Sequence, residues 1–227
     1  GLGDVYKRQT QKIPIVIAGA SDPVAEGLVS SLSKPGANVT GISVLPGREL
    51  EGKRLEFLQR VIPKASRVAV ILDSTSRLDP TPLEEAADQL GITLIFSAET
   101  ESDEEFRDTF ADMTRKRADA VYAPETPVNA RQRRLIVELA LEHRLPAIYG
   151  SREYAEAGGL MSYGPSFSEL FERAAIYTDR ILKGAFPGRL PIEQPMHLEL
   201  VINNKVAKRL DLSFPTTILM LADEVIQ

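Results

Sequence analysis

Cysteine and tryptophan are both absent from the 227 residues, and histidine occurs only twice. Without cysteine there is no disulfide, no thiolate metal ligand and no cysteine nucleophile; the redox compartment stays open, because reducing and oxidising locations both tolerate a cysteine-free chain. No apolar run approaches the ~18 residues that suggest a membrane-spanning helix. Positive charge is not in excess either. A net charge of −5 argues against the basic surface of a general nucleic-acid binder, so no nucleic-acid partner is expected. Gly19-Ala-Ser-Asp-Pro lacks both the Walker lysine and the three-glycine dinucleotide pattern. His143 falls in the last turn of a helix, where a cation suits the dipole, and His197 opens a strand. Neither has a serine or carboxylate at a recognisable motif spacing. No catalytic residue, no metal site and no cofactor is therefore assigned.

What remains is the composition of a packed protein: 43% apolar and 26% charged residues, enough for one large domain or two modest ones. From Arg67 onward strand and helix patterns alternate. Apolar runs begin at Val68, Ile92, Ala118 and Leu145, 24 to 27 residues apart. Between them lie amphipathic stretches with start signals: Thr81 before Pro82, the capping box Ser102-x-x-Glu105, and Asn129 before Ala130–His143. Continuous apolar strands linked by helices predict a parallel sheet covered on both faces, hence the α/β class. Ile13–Ala18 and Asn38–Val44 read as two further strands. Between them Asp22 and Pro23 open a helix bearing Val24, Leu28 and Leu32. Glu49–Ile62 is an amphipathic helix with Leu55, Leu58 and Ile62 inward. Ser166-x-x-Glu169 opens another, with Leu170, Ala174, Ile181 and Leu182 on one side.

One stretch organises the rest: Leu145 to Gly164. It reads as two short strands joined by a polar bridge with Gly158-Gly159, suited to a chain passing from one lobe to another. The division expected is a non-native or disordered leader at 1–12, an incomplete first lobe from 13–63 and 164–227, and a second lobe at 64–163. Residues Gly1–Gln9 have no period and no cap, so the natural start, with any export signal, is expected to lie upstream.

A polar cluster recurs just past strand C-termini: Ser21 and Asp22, Asp73 to Ser76, Glu125 and Thr126, Ser151 and Arg152. Open parallel sheets bind ligands outside those ends. Ser21, Ser74 or Thr126 would add hydroxyl donors, Asp22 would take a ligand ammonium, and Tyr149, Tyr154 or Tyr163 would stack on an aromatic or apolar group. The alternative for each polar residue is a helix cap or a turn, although the expected cap at Thr81 leaves the Asp73–Ser76 loop free for a ligand. The candidate ligand contacts are Ser21, Asp22, Asp73, Ser74, Glu125, Thr126, Tyr149, Ser151 and Tyr154.

Several stretches together resemble substrate-binding proteins of ABC transporters of the tryptophan/tyrosine type. They are Ser21-Asp-Pro-Val, Lys34-Pro-Gly-Ala-Asn-Val-Thr-Gly-Ile, Gly52-Lys-Arg-Leu-Glu, Arg144-Leu-Pro-Ala-Ile-Tyr-Gly-Ser-Arg-Glu-Tyr, Ala157-Gly-Gly-Leu-Met-Ser-Tyr-Gly and Glu199-Leu-Val-Ile-Asn. The resemblance implies a two-lobe type I periplasmic-binding-protein fold holding a small molecule, an amino acid or related carboxylate, between the lobes. It implies an ABC permease as partner and a periplasmic or extracytoplasmic location reached by a signal peptide or lipid anchor. The same fold serves ligand-sensing domains of transcriptional regulators, which is the alternative reading; no helix-turn-helix or basic segment supports it. An α/β racemase would need paired catalytic residues across the cleft.

Overall fold

The computed structural model describes residues 10–20, 22–44, 48–76, 80–195 and 197–227. The structure is α/β, with helices flanking parallel strands, and it forms two compact units. One comprises Gly1–Gly47 and Pro165–Leu198; the other comprises Arg48–Gly164 and Glu199–Gln227.

The first unit holds two parallel strands, β1 (Ile15–Ala20) and β2 (Val39–Ser43), in register from Ile15 opposite Val39. The expected helix after Asp22 is only a turn. Gly27 adopts φ 69°, and the Gly27 and Leu28 amides donate to the Val24 and Pro23 carbonyls at 2.9 Å, closing the helix as soon as it opens.

The second unit is built around one sheet. Its elements in chain order are α1 (Arg48–Val61), β3 (Arg67–Asp73), α2 (Pro80–Leu90), β4 (Thr93–Thr100), α3 (Asp103–Arg115) and β5 (Ala120–Ala123). They continue with α4 (Pro127–Arg131), α5 (Arg133–Glu142), β6 (Ala147–Tyr149), α6 (Arg152–Glu156) and β7 (Met161–Pro165). After α7 (Phe167–Leu182) of the first unit come β8 (Leu198–Asn203), α8 (Asn204–Arg209), α9 (Thr216–Leu221) and β9 (Glu224–Ile226). The sheet order is β4-β3-β5-β6-β7-β8-β9, and β3 pairs in parallel with both β4 and β5. Alternate residues of each strand feed opposite cores, as a pleated strand requires. Val68, Val70, Tyr122 and Ile148 pack with Leu55 and Leu58 of α1 and Leu83 of α2. Ala69, Ile71, Val121 and Tyr149 pack with Phe106 and Phe110 of α3 and Ile136 and Leu139 of α5. Burial on both faces is why these strands are apolar without alternation.

The units differ from the expected lobes in two places. Helix α1 and the chain from Glu199 onward belong with β3–β7, because Leu55, Leu58, Leu200, Ile202 and Phe214 share one apolar core with Val68 and Leu83. The 145–164 stretch is also not a passage between units. Strands β6 and β7 are parallel neighbours, Ile148 opposite Met161, and the polar bridge folds into α6 because Tyr154 buries its ring against Tyr149. The chain leaves the second unit at Gly164 instead.

The capping box forms as expected, with the Ser102 hydroxyl accepting from the Glu105 amide and the Glu105 carboxylate from the Ser102 amide at 2.9 Å. Asn129 is not a cap. Thr126 caps α4, with Pro127 at the first helical position, while Asn129 is buried inside the turn and donates to the Pro124 carbonyl at 3.0 Å. On α7, Leu170 and Tyr177 are the buried residues, and Leu182 is 82% exposed. Of the expected 1–12 leader, residues 1–9 lie outside those described.

Candidate functional site

In the second unit the chain first steps outward from β3 to β4 and then returns to place β5 on the other side of β3. Connections therefore diverge at the C-terminal ends of β3 and β5. That reversal opens a crevice, the usual ligand position in an open α/β sheet. Asp73 is the last residue of β3, and Glu125 and Thr126 follow β5 after Pro124. Ser151 follows the next strand, β6. Three of the four polar clusters read from the sequence thus meet along one edge of one sheet.

Asp73 is buried. Its Oδ1 accepts from the Thr75 amide at 2.7 Å and from the Thr75 hydroxyl; its Oδ2 accepts from the Thr126 hydroxyl. Thr126 Oγ1 in turn accepts from the Asn129 amide at 3.1 Å. One carboxylate thereby ties the loop after β3 to the cap of α4 across the crevice. Ser74 is exposed on the same turn.

Glu125 is half-buried, yet its Oε2 is sealed from solvent and has no hydrogen-bond partner. Gly150 presses on it: a Cβ there would lie 2.7 Å from the Glu125 Cβ, so only glycine fits. Burial pushes the Glu125 carboxyl up to about 7; Glu153 adds to the rise, while Ser151, Arg54 and Arg133 hold it down. Ser151 is buried and opens α6, yet its hydroxyl makes no cap bond to that helix.

Tyr149 and Tyr154 do not offer their faces. Their rings stack on each other at 4.8 Å and 11° inside the core. Only the Tyr154 hydroxyl is left, buried and without a partner. Burial raises the Tyr154 phenol well above its usual value, with the Glu125 charge next in effect, so it stays protonated. Arg152 is occupied: its guanidinium donates to Glu156 and Glu199, each at 3.0 Å, and to Glu224. Tyr163 packs edge-on against Phe57 at 4.9 Å. On the first unit, Asp22 Oδ1 accepts from the Val24 and Ala25 amides at 3.0 and 2.9 Å; Ser21 lies outside the described residues. His143 meets the Thr114 hydroxyl at 2.9 Å beside Phe110, a structural setting. Among the described residues no group of three or more His, Asp or Glu side chains could hold a metal ion.

Sequence reasoning missed the group beneath this edge. Arg54 of α1 is buried and donates from Nε to the Tyr163 carbonyl at 2.7 Å, from Nη1 to Glu51 at 3.2 Å and to the Tyr122 hydroxyl at 2.9 Å, and from Nη2 to the Gly150 carbonyl at 3.3 Å. Tyr122, its phenol pushed well up by burial, donates to Glu51. The available signal was position: Glu51 and Arg54 sit at i and i+3 of the same stripe as Leu55 and Leu58, where a charge has no business unless it is paired.

A family model described as ABC transporter substrate binding protein matches residues 4–226. The chain belongs to that family. As an ABC substrate-binding protein it sits in a group of receptors rather than enzymes. It is 27% identical over 206 residues to a tyrosine-binding protein of Clostridioides difficile (strain R20291), a match that takes in 89% of this chain and 58% of that relative. Among solved structures, a conserved domain protein from Vibrio cholerae is 26% identical with a TM-score of 0.87, covering 98% of this chain and 75% of the other. An ABC domain from Streptococcus pneumonia solved in complex with L-Trp is 27% identical with a TM-score of 0.86, covering 99% and 75%. This substrate-binding protein shares its α/β fold with them.

Proposed function

We propose that this chain is the solute-receiving component of an ABC transporter, that it binds an aromatic amino acid, and that it passes the ligand to a membrane permease outside the cytoplasm. The family match carries the reading, and the relatives that take L-Trp and tyrosine supply the ligand class. The ligand-contacting edge proposed on the second unit consists of Asp73, Glu125, Thr126, Ser151 and the Tyr154 hydroxyl. Two properties support that assignment. The edge lies at the reversal of strand order, and it holds buried polar atoms without protein partners, whose desolvation a ligand would offset. Ser74 belongs to the proposal as a flanking polar contact, while Tyr149 supports the Tyr154 ring from behind.

The regulator alternative gains nothing from the family match. A thermal-shift panel separates the two: a ligand binding only the folded chain at a hundredfold excess over Kd adds about 2.7 kcal/mol of stability. L-tryptophan or L-tyrosine is expected to raise the melting temperature while sugars and nucleosides leave it unchanged. A shift with sugars alone would overturn the reading.

A further inference from the structure

Glu125 is among the side chains of the second unit that hold a buried polar atom without a partner, as is its neighbour Glu153. The Glu125 Oε2 is sealed from solvent with nothing bonded to it. A Cβ on Gly150 would lie 3.2 Å from that oxygen, and the Ser151 side chain hydrogen-bonds the carboxyl. The charged neighbours are Glu153 of α6, Arg133 of α5 and Arg54 of α1. Both arginines are engaged elsewhere: Arg133 donates to the Ala130 carbonyl at 2.9 Å and Arg54 to its four acceptors. The second observation is Tyr154. Its side chain is fully buried, its hydroxyl has no partner, and the charges of Glu125 and Asp73 act on it. The second unit thus holds an unpartnered carboxyl oxygen on Glu125 and an unpartnered hydroxyl on Tyr154, on which the Glu125 charge acts. Neutral donors would satisfy one of them. A desolvated carboxyl with Glu153 as a like-charged neighbour is matched best by a cation.

We infer that Glu125 receives the protonated primary amine of the bound amino acid, with the Tyr154 hydroxyl as the neighbouring oxygen, making it the residue that selects amines over their deaminated or acylated analogues. This rests on the solute-receptor reading above. It moves the ammonium contact from Asp22, whose Oδ1 already serves two backbone amides, to a carboxyl with an unused oxygen. An ammonium there would also keep the carboxyl ionised at neutral pH, offsetting the penalty of its burial.

The test is calorimetric titration of the full chain and its Glu125→Gln variant with L-tryptophan, L-tyrosine, L-leucine, N-acetyl-L-tryptophan and indole-3-propionate. The wild type is expected to prefer L-tryptophan over the two amine-blocked or amine-free probes by roughly 30-fold or more, the size of a desolvated charge contact. In Glu125→Gln that preference is expected to collapse to within a few-fold, with the variant's melting temperature at or above that of the wild type. Retention of the wild-type ratio by Glu125→Gln would overturn the inference. If the wild type ignores the aromatic compounds but binds L-leucine in a Glu125-dependent way, the amine contact stands and the aromatic reading falls. If the wild type binds N-acetyl-L-tryptophan or indole-3-propionate as well as L-tryptophan, or binds no amine at all, the amine contact falls. The variant Tyr154→Phe, which removes only the hydroxyl, is expected to weaken L-tryptophan about tenfold while leaving the core packing of the ring in place.

Discussion

Replacing Arg54 by Met keeps the volume and removes the charge. Four acceptors then lose their donor: the Tyr163 and Gly150 carbonyls, Glu51 and the Tyr122 hydroxyl. Glu51 keeps only the Tyr122 hydroxyl and becomes a buried carboxylate without a cation. Removing one partner of a buried ion pair costs about 3–5 kcal/mol, because the remaining charge stays desolvated. For a chain of this size each kcal/mol is about 2–4 °C, so the melting temperature is expected to fall by roughly 6–20 °C. The assay is urea unfolding followed by tyrosine fluorescence, run as a double-mutant cycle with Glu51→Gln. Neutralising Glu51 in the Arg54→Met background removes the stranded charge, so the double variant should recover at least ~1 kcal/mol over the single one. The reasoning is refuted if Arg54→Met costs less than about 1 kcal/mol, or if the two substitutions are additive. Loss of the Gly150 carbonyl contact should also loosen the turn into Ser151, weakening ligand binding in the folded fraction.

Glu125 gives a pH dependence. Its folded value, about 7, lies above its ordinary value of 4.5, so its contribution is fully present below pH 4.5 and is lost as pH rises through 7. Ligand-free wild type should therefore lose stability relative to Glu125→Gln between pH 4.5 and 8, by at most roughly 3 kcal/mol, in parallel urea titrations; equal profiles would contradict it. Gly150→Ala places a methyl 2.7 Å from the Glu125 Cβ and 3.1 Å from its amide nitrogen. The expected cost is about 1–3 kcal/mol together with weakened ligand binding, read by denaturation and calorimetry. Ser102→Ala breaks the capping box of α3 and should cost about 1 kcal/mol, read by denaturation.

Much of this was legible from spacing alone. The alternation from β3 to β6 followed from apolar runs of strand length separated by capped amphipathic stretches, because burial on both sheet faces demands it. Ser102 with Glu105 was legible because both halves of that motif lie within four residues. Asn129 was misread because Thr126 with Pro127 offered a competing start three residues earlier, and Pro127 decided it. The turn at Asp22 was misread because the left-handed φ of Gly27 outweighed the period of Val24 and Leu28. In the candidate site, the placement of Asp73, Glu125, Thr126 and Ser151 just past strand C-termini follows from local patterns alone. The bonding of Arg54 does not, because its acceptors at Gly150 and Tyr163 are 96 and 109 residues away, and only the folded sheet joins them. The strand order, and with it the crevice between β3 and β5, is likewise a long-range fact that local patterns do not carry.

The chain contains no tryptophan, so in a mixture with L-tryptophan the indole emission belongs to the ligand alone. Titrating the protein into L-tryptophan and following that emission tests the receptor reading most directly. The account predicts a saturable blue shift as the indole leaves water, reversed by added L-tyrosine. Emission unchanged up to protein concentrations at which the chain remains folded and monodisperse would contradict it.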